Sequence, residues 1–286
     1  MKKTCLLFVA SLLSITCPVQ AQNASPLDAP ESAAWDAKTK SWFVSSLGGG
    51  ISLAKDGNGW ISRFDSEGKL VTAKWVKGLD APTGLLVSGD DLFAVDRGGL
   101  VRISIAKKCV VQKYKLPSDG FLNDVTRAEN GDIFVNDMFT NRIYRLGGGG
   151  KMELWLESDQ LQNPNGIFAD GDSLIVAAWG PITDRKTFAT QRPGTLLRVR
   201  LSDKKIEPLG EGKPIGNLDG VVKWQGRYLA TAWGRGELLR VDKRGRAQVV
   251  LSGLDGMADL GIDSETGTVA IPCMKDNKLL LLKMCD

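Results

Sequence analysis

Residues 123–146 read NDVTRAENGDIFVNDMFTNRIYRL, and residues 219–242 read DGVVKWQGRYLATAWGRGELLRVD. Each opens on a polar residue, runs along an apolar strand to a turn at Gly131 or Gly226, returns along a second strand, and enters an arginine-bearing third. Apolar residues alternate over short runs between Gly, Asp and Asn turns, which is the period of half-buried strands, and no stretch sustains a helical period. Residues 165–209 hold a third clear copy.

Extending the register outward places the opening residues at Glu31, Thr83, Asn123, Asn165, Asp219 and Asp259, with successive gaps of 52, 40, 42, 54 and 40. Repeats of about 40–45 residues with four strands each are the signature of a propeller. The two long gaps carry their surplus between second and third strands, at residues 47–59 (LGGGISLAKDGNG) and 180–194 (GPITDRKTFATQRPG). Fourteen residues after each opener come Ser45, Arg97, Asp137, Trp179, Trp233 and Cys273, all at or just past the end of a second strand. The chain is therefore expected to form an all-β, six-bladed β-propeller of four-stranded antiparallel blades. The sixth repeat has three strands before the chain stops. An unpaired edge there would be exposed, so residues near 23–28 are expected to supply the missing outer strand and close the ring.

Strand polarity converts this register into a map. First strands line the channel, so the six openers are expected at one mouth, with the second-strand ends and the two insertions around it as candidate lids. Trp179 and Trp233 stand out because each precedes a Gly at the top of a strand, and Asp137 falls beside them. The glycines at residues 147–150 follow a third strand on the opposite face, with no following helix, lysine or hydroxyl of a phosphate loop. They read as a turn. Carboxylate and amide oxygens converging without a lysine suit a hard divalent cation. Equally, they could hydrate a wet polar channel.

Composition narrows the chemistry. With 37 Lys+Arg against 33 Asp+Glu the formal charge is +4, which gives no basic surface of the kind nucleic acid requires. There is no histidine at all, so a Ser-His-Asp set and a His-ligated zinc site are excluded, and a quinone-dependent sugar-dehydrogenase propeller, whose sites generally rely on a catalytic histidine, is disfavoured. Residues 1–21 read as a secretory signal, with Lys2 and Lys3, an apolar run over residues 6–15 and a cleavage site after Ala21; residues 22–286 form the propeller. Ser14-Ile15-Thr16-Cys17 is a poor lipoprotein site. No apolar run is long enough to span a bilayer, and an exported, periplasmic or secreted location is expected. Three cysteines remain after cleavage. Cys273 is expected opposite Leu280 in a terminal hairpin, too far from Cys285 to bond across the ladder, while a bridge to Cys109 stays open.

At these residues the chain resembles the senescence marker protein/gluconolactonase family of six-bladed propellers. The stretches are Pro30-Glu31 with Trp35-Asp36, Asn123-Asp124, NPNGIFADGDSLIVAAWG from 163, LDGVV from 218 and MADLGID from 257. The resemblance implies one divalent ion in the channel, usually calcium, with Zn²⁺, Mn²⁺ or Mg²⁺ as alternatives, held by Glu31, Asn165 and Asp219. It also implies hydrolysis of lactones or related esters, with Asn123 beside substrate and metal and Asp219 as proton acceptor; Asp124 is a second candidate base. Sugar-lactone members often carry an arginine two residues before the Asn, where this chain has Phe121. Losing that guanidinium removes donors suited to substrate oxygens, so with Trp179 and Trp233 near, a less polar or aromatic lactone or ester is expected. The alternative is a non-enzymatic binding propeller: GDIFVNDMFTNRI also resembles NHL-type repeats that serve as interaction platforms.

Overall fold

The computed structural model describes residues 20–22, 27–116 and 120–285. Six four-stranded antiparallel sheets follow one another in chain order. Blade I comprises Pro30–Asp36, Ser41–Ser46, Gly59–Asp65 and Leu70–Leu79, and blade II comprises Leu85–Ser88, Asp91–Asp96, Gly99–Ser104 and Cys109–Lys115. Blade III takes Leu122–Arg127, Ile133–Asp137, Arg142–Leu146 and Met152–Glu157; blade IV takes Pro164–Asp170, Ser173–Ala178, Leu196–Arg200 and Ile206–Pro208. Blade V is Leu218–Trp224, Arg227–Ala232, Glu237–Val241 and Ala247–Ser252, and blade VI is Gly261–Asp263, Thr268–Cys273 and Lys278–Lys283. This is the expected propeller.

Second strands such as Ser173–Ala178 are buried along their whole length, because blades cover both of their faces. Apolar side chains from neighbouring blades interlock: Phe43, Ile61 and Trp75 of blade I pack with Leu92 and Val101 of blade II. Phe134 of blade III meets Leu174 and Val176 of blade IV. The core is thus a ring of inter-blade layers, each apolar side chain contributing about 1.5–3 kcal/mol on burial. Trp35 on Trp42 and Phe134 on Trp155 belong to this packing. The fourth strands form the rim and are mostly exposed, as in Cys109–Lys115. Their lysines, Lys113 and Lys115 among them, discourage edge-to-edge pairing.

Ring closure by an N-terminal strand holds, but with different residues. Gln20–Gln22 pairs antiparallel with Leu279, Leu280 and Leu281. The expected segment was residues 23–28; of these, 23–26 lie outside the described residues and Leu27 and Asp28 are not in a strand. Ladder pairing is made by backbone groups, so the weak strand character of Gln-Ala-Gln does not prevent it. The expected cleavage after Ala21 would leave only Gln22 of this strand; residues 1–19 of the expected signal lie outside the described residues.

The terminal hairpin also departs from expectation. Cys273 pairs with Lys278, not Leu280, because the turn is a short 3-10 segment, Met274–Asp276, closed by Asn277 in the left-handed region. Cys273 is a buried free thiol and Cys109 an exposed one, so neither the hairpin bridge nor a bridge to Cys109 forms. Residues 147–150 do make a plain turn, in which Gly150 N donates to Gly147 O at 3.0 Å.

Candidate metal and substrate site at the channel mouth

Four of the six openers lie in first strands that share one irregularity. The ladder to the second strand slips between Pro30 and Ala33, Leu122 and Val125, Pro164 and Gly166, and Leu218 and Val221. A bulge releases residues from pairing and re-aims their side chains, and the residues released here include Glu31, Asn123, Asn165 and Asp219. In three blades the freed backbone N–H finds a buried side chain from the second strand. Ser32 N donates to Ser45 Oγ at 2.9 Å, Asp124 N to Asn136 Oδ1 at 2.8 Å, and Gly220 N to Thr231 Oγ1 at 2.9 Å. An orphaned N–H in such a place costs about 1–3 kcal/mol. Asn136 and Thr231 reach onward to Asn165 O at 2.7 Å and Ala258 O at 3.0 Å, tying each bulge to the next blade.

Close approach of the first strands explains the Asn-Gly and Asp-Gly pairs. A Cβ on Gly166 would lie 2.2 Å from Asp219 O, and one on Gly220 would lie 2.3 Å from Asp259 Oδ1. Neither position admits a side chain without moving backbone or the Asp259 carboxylate.

The four released side chains form the floor of a cavity of about 200 Å³. All four are at most 5% exposed, and Glu31 Oε2, Asn123 Oδ1, Asn165 Oδ1 and Asp219 Oδ1 are buried with no hydrogen-bond donor. Buried polar atoms are nearly always partnered, so four unmet oxygens sharing one cavity leave acceptor capacity that a cation or water would fill. No three carboxylate, thiol or imidazole groups cluster for a metal among the described residues; the donors here are two carboxylates and two amides.

The other openers do not join them. Blades II and VI begin their first strands only at Leu85 and Gly261, leaving Thr83 and Asp259 ahead of the ladder. Thr83 Oγ1 donates to Leu122 O at 3.4 Å. Asp259, expected at the same mouth, lines a separate cavity of about 180 Å³, where its Oδ2 accepts from Ser32 Oγ at 2.5 Å. Asp124 is there too, contrary to its reading as a base beside the ring. It follows Asn123 in the strand, and adjacent residues of a strand face opposite ways. Both its oxygens are occupied, by Val125 N at 2.6 Å and Ile167 N at 2.7 Å. Asp137, expected near the mouth, anchors a loop: its Oδ1 accepts from Phe121 N at 2.9 Å and Phe139 N at 3.1 Å.

Above the floor the cavity is apolar. Phe121, Trp179 and Trp233 line it, as the sequence suggested, together with Met138, Leu53 and Phe188, which it did not single out. Trp179 stands 5.9 Å from both Trp233 and Phe188, ring centre to ring centre. Phe188 belongs to the second insertion, where Ile182–Asp184 and Ala189–Thr190 form a small hairpin. Buried Asn163 fastens it, accepting from Ile182 N at 2.8 Å and donating to Met138 O at 2.7 Å. An aromatic inside an insertion already read as a lid was the available signal for Phe188.

Burial and mutual repulsion set the electrostatics of these acids. Glu31 is held well above the usual carboxyl range by burial first, then by Asp219, Asp259 and Asp124. Asp219 is likewise raised, by burial and then Asp259, with the Asn165 amide opposing. Burial pushes Asp259 up to about 7. A carboxyl raised in the folded state costs stability above its folded pKa and relieves that cost as pH falls toward its unfolded value. Chelator-treated protein is therefore expected to melt higher at pH 6 than at pH 8. Asp259→Asn, which keeps an acceptor for Ser32, should flatten that slope; an unchanged slope would remove Asp259 from the explanation.

No family model matches the sequence, and no curated protein does. Solved structures do match in fold. A gluconolactonase from Xanthomonas campestris is 15% identical, with 96% of this chain and 99% of that one covered at a TM-score of 0.69. Regucalcin from Agrobacterium tumefaciens, a calcium-binding protein, is 16% identical over 90% of each chain at 0.66. A catalytically inactive histidine-to-alanine variant of virginiamycin B lyase from Staphylococcus aureus, with quinupristin, is 15% identical over 94% and 99% at 0.60. At such identities the likeness establishes the class by fold, a six-bladed propeller. No helix among the described residues is long and apolar enough to cross a membrane.

Proposed function

We propose that this chain is an exported, divalent-cation-dependent hydrolase of small lactones or related esters. The observation that carries the reading is the set of four donorless buried oxygens on one cavity floor. Glu31, Asn165 and Asp219, with Asn123 beside them, would hold the ion, and all-oxygen donors suit calcium or a similarly hard cation. Bound there, such an ion supplies Lewis-acid polarisation of a carbonyl oxygen and a lowered pKa for a bound water.

The chain's own residues do the rest. Asp219 is the base that takes the proton from attacking water, since it is the carboxylate at the mouth flanked by an amide able to orient it. The Asn123 and Asn165 amides position the substrate. Phe121, Trp179 and Trp233 exclude bulk water and seat the non-reacting part. The gluconolactonase and regucalcin neighbours support the reading as fold relatives. The lyase's histidine-to-alanine variant is catalytically inactive, and this chain has no histidine, so that lyase's chemistry is not proposed here. Export rests on Lys2, Lys3 and the apolar run that follows.

The test is a lactone and ester panel run on one preparation with chelator and then with restored calcium. Hydrolysis that vanishes and returns supports the proposal. A metal that raises the melting temperature without any turnover would favour the binding-propeller alternative.

A further inference from the structure

The walls of the mouth carry information that the floor does not. Among the described residues, the charged, amide and hydroxyl side chains of its lining are Glu31, Asn123, Asn165, Asp219 and Thr187. No lysine or arginine among the described residues lines it. Arg185 is nearby, but it donates to Phe139 O at 2.9 Å and sits 5.2 Å from the Phe139 ring; Lys275 lies 4.5 Å from the Trp233 ring. Neither lines the cavity. A polyhydroxylated ring would thus press most of its hydroxyls against the side chains of Phe121, Met138, Trp179, Phe188 and Trp233, where the Thr187 hydroxyl and the Trp233 indole N–H are the few polar groups to meet them, which is unfavourable. An apolar ring would exchange water for hydrocarbon contact, which is favourable. The volume of about 200 Å³ falls below the roughly 300 Å³ at which drug-sized pockets begin, so the body seated there is small.

Phe188 is the element that distinguishes this wall. It carries φ of 56°, a left-handed conformation that aromatic residues rarely adopt. The strain persists because neighbours hold it. Trp179 Nε1 donates to Phe188 O at 3.0 Å, and the Asp184 carboxylate ties the hairpin tip by accepting from Lys186 N and Thr187 Oγ1, both at 2.9 Å. The ring then meets Trp179, Phe139 and Phe121 at 5.9, 5.5 and 6.3 Å. Strained backbone kept in place by its surroundings is a feature of ligand clamps.

Resting on the hydrolase reading above, we infer that the molecule bound at this mouth is a small neutral lactone or ester with an apolar or aromatic body, and that Phe188 of the inserted hairpin is the residue that selects it. Phe188 positions and discriminates; it has no part in bond breaking. Its loss should therefore raise KM for an aromatic substrate more than it lowers kcat.

Three lactams, slow to hydrolyse and matched in shape to lactones, separate binding from turnover: piperidinone, its benzo-fused analogue dihydroquinolinone, and gluconolactam. Titrated calorimetrically into calcium-loaded protein, dihydroquinolinone is expected to bind at least about tenfold tighter than either other probe, given about fourfold per buried methylene equivalent. Phe188→Ala should erase most of that preference while calcium affinity is retained. Phe188→Gly, which removes the ring and also relieves the positive φ, should match it. Dihydrocoumarin turnover by both variants should show the KM-weighted loss. Gluconolactam binding as tightly as dihydroquinolinone, or an intact preference in both variants, would overturn the inference. Selective lactam binding with no lactone hydrolysed would instead overturn the hydrolase reading and leave the selectivity of the mouth standing.

Discussion

Asp219→Asn is expected to lower lactone turnover by roughly 10²–10⁴-fold from loss of the base alone, with a further loss if it also loosens the ion. The same variant should melt above wild type when both are stripped of metal. Asp219 is buried, its carboxyl is raised by burial and by Asp259, and it raises Glu31 in turn. Replacing it with a neutral isostere relieves that repulsion while preserving shape, so stability and activity should move in opposite directions. A residue holding only the fold would move both down. Steady-state kinetics and a chelated thermal melt on one preparation decide the matter, and turnover within tenfold of wild type would reject Asp219 as the base.

Calcium at about one hundred times its dissociation constant is expected to stabilise the protein by about 2.7 kcal/mol, which for a domain of this size is roughly 5–11 °C in melting temperature. The gain comes from the four unmet oxygens of Glu31, Asn123, Asn165 and Asp219. Asn165→Ala, which removes one donor and no charge, should shrink the shift without raising the metal-free melting point; that separates ligand loss from charge relief. If calcium, magnesium, manganese and zinc all leave the melting temperature unmoved, the floor does not hold an ion.

These expectations draw on features of differing legibility. The period of the openers placed Glu31, Asn123, Asn165 and Asp219 at one mouth because repeats of equal strand polarity start on the same face. Their oxygens do share a cavity floor. Trp179 and Trp233 lie in its wall for the same reason, whereas Phe121, also there, was singled out through the resemblance. The ligand roles came from resemblance, not from period. The period also counted Thr83 and Asp259 as equivalent, and they are not. Equivalence in sequence does not carry a bulge, and the bulge is what aims a side chain into the channel. Asp124 was misread similarly, since its neighbour Asn123 faces the mouth cavity and Asp124 the other one.

Short-range pattern by itself determined the all-β class, the six repeats, the turns, the two insertions and the absence of any histidine chemistry. Strands and turns follow from residues a few positions apart, the repeats and insertions from the spacing of the openers, and the last from composition. Tertiary structure alone decided which strand closes the ring, where Cys273 pairs, how Phe188 reaches the aromatic wall and which acids face which cavity. Asp259 turns from the mouth because Ser32, 227 residues away in the chain, donates to its carboxylate. Such contacts depend on the whole ring having closed, and no local period encodes them.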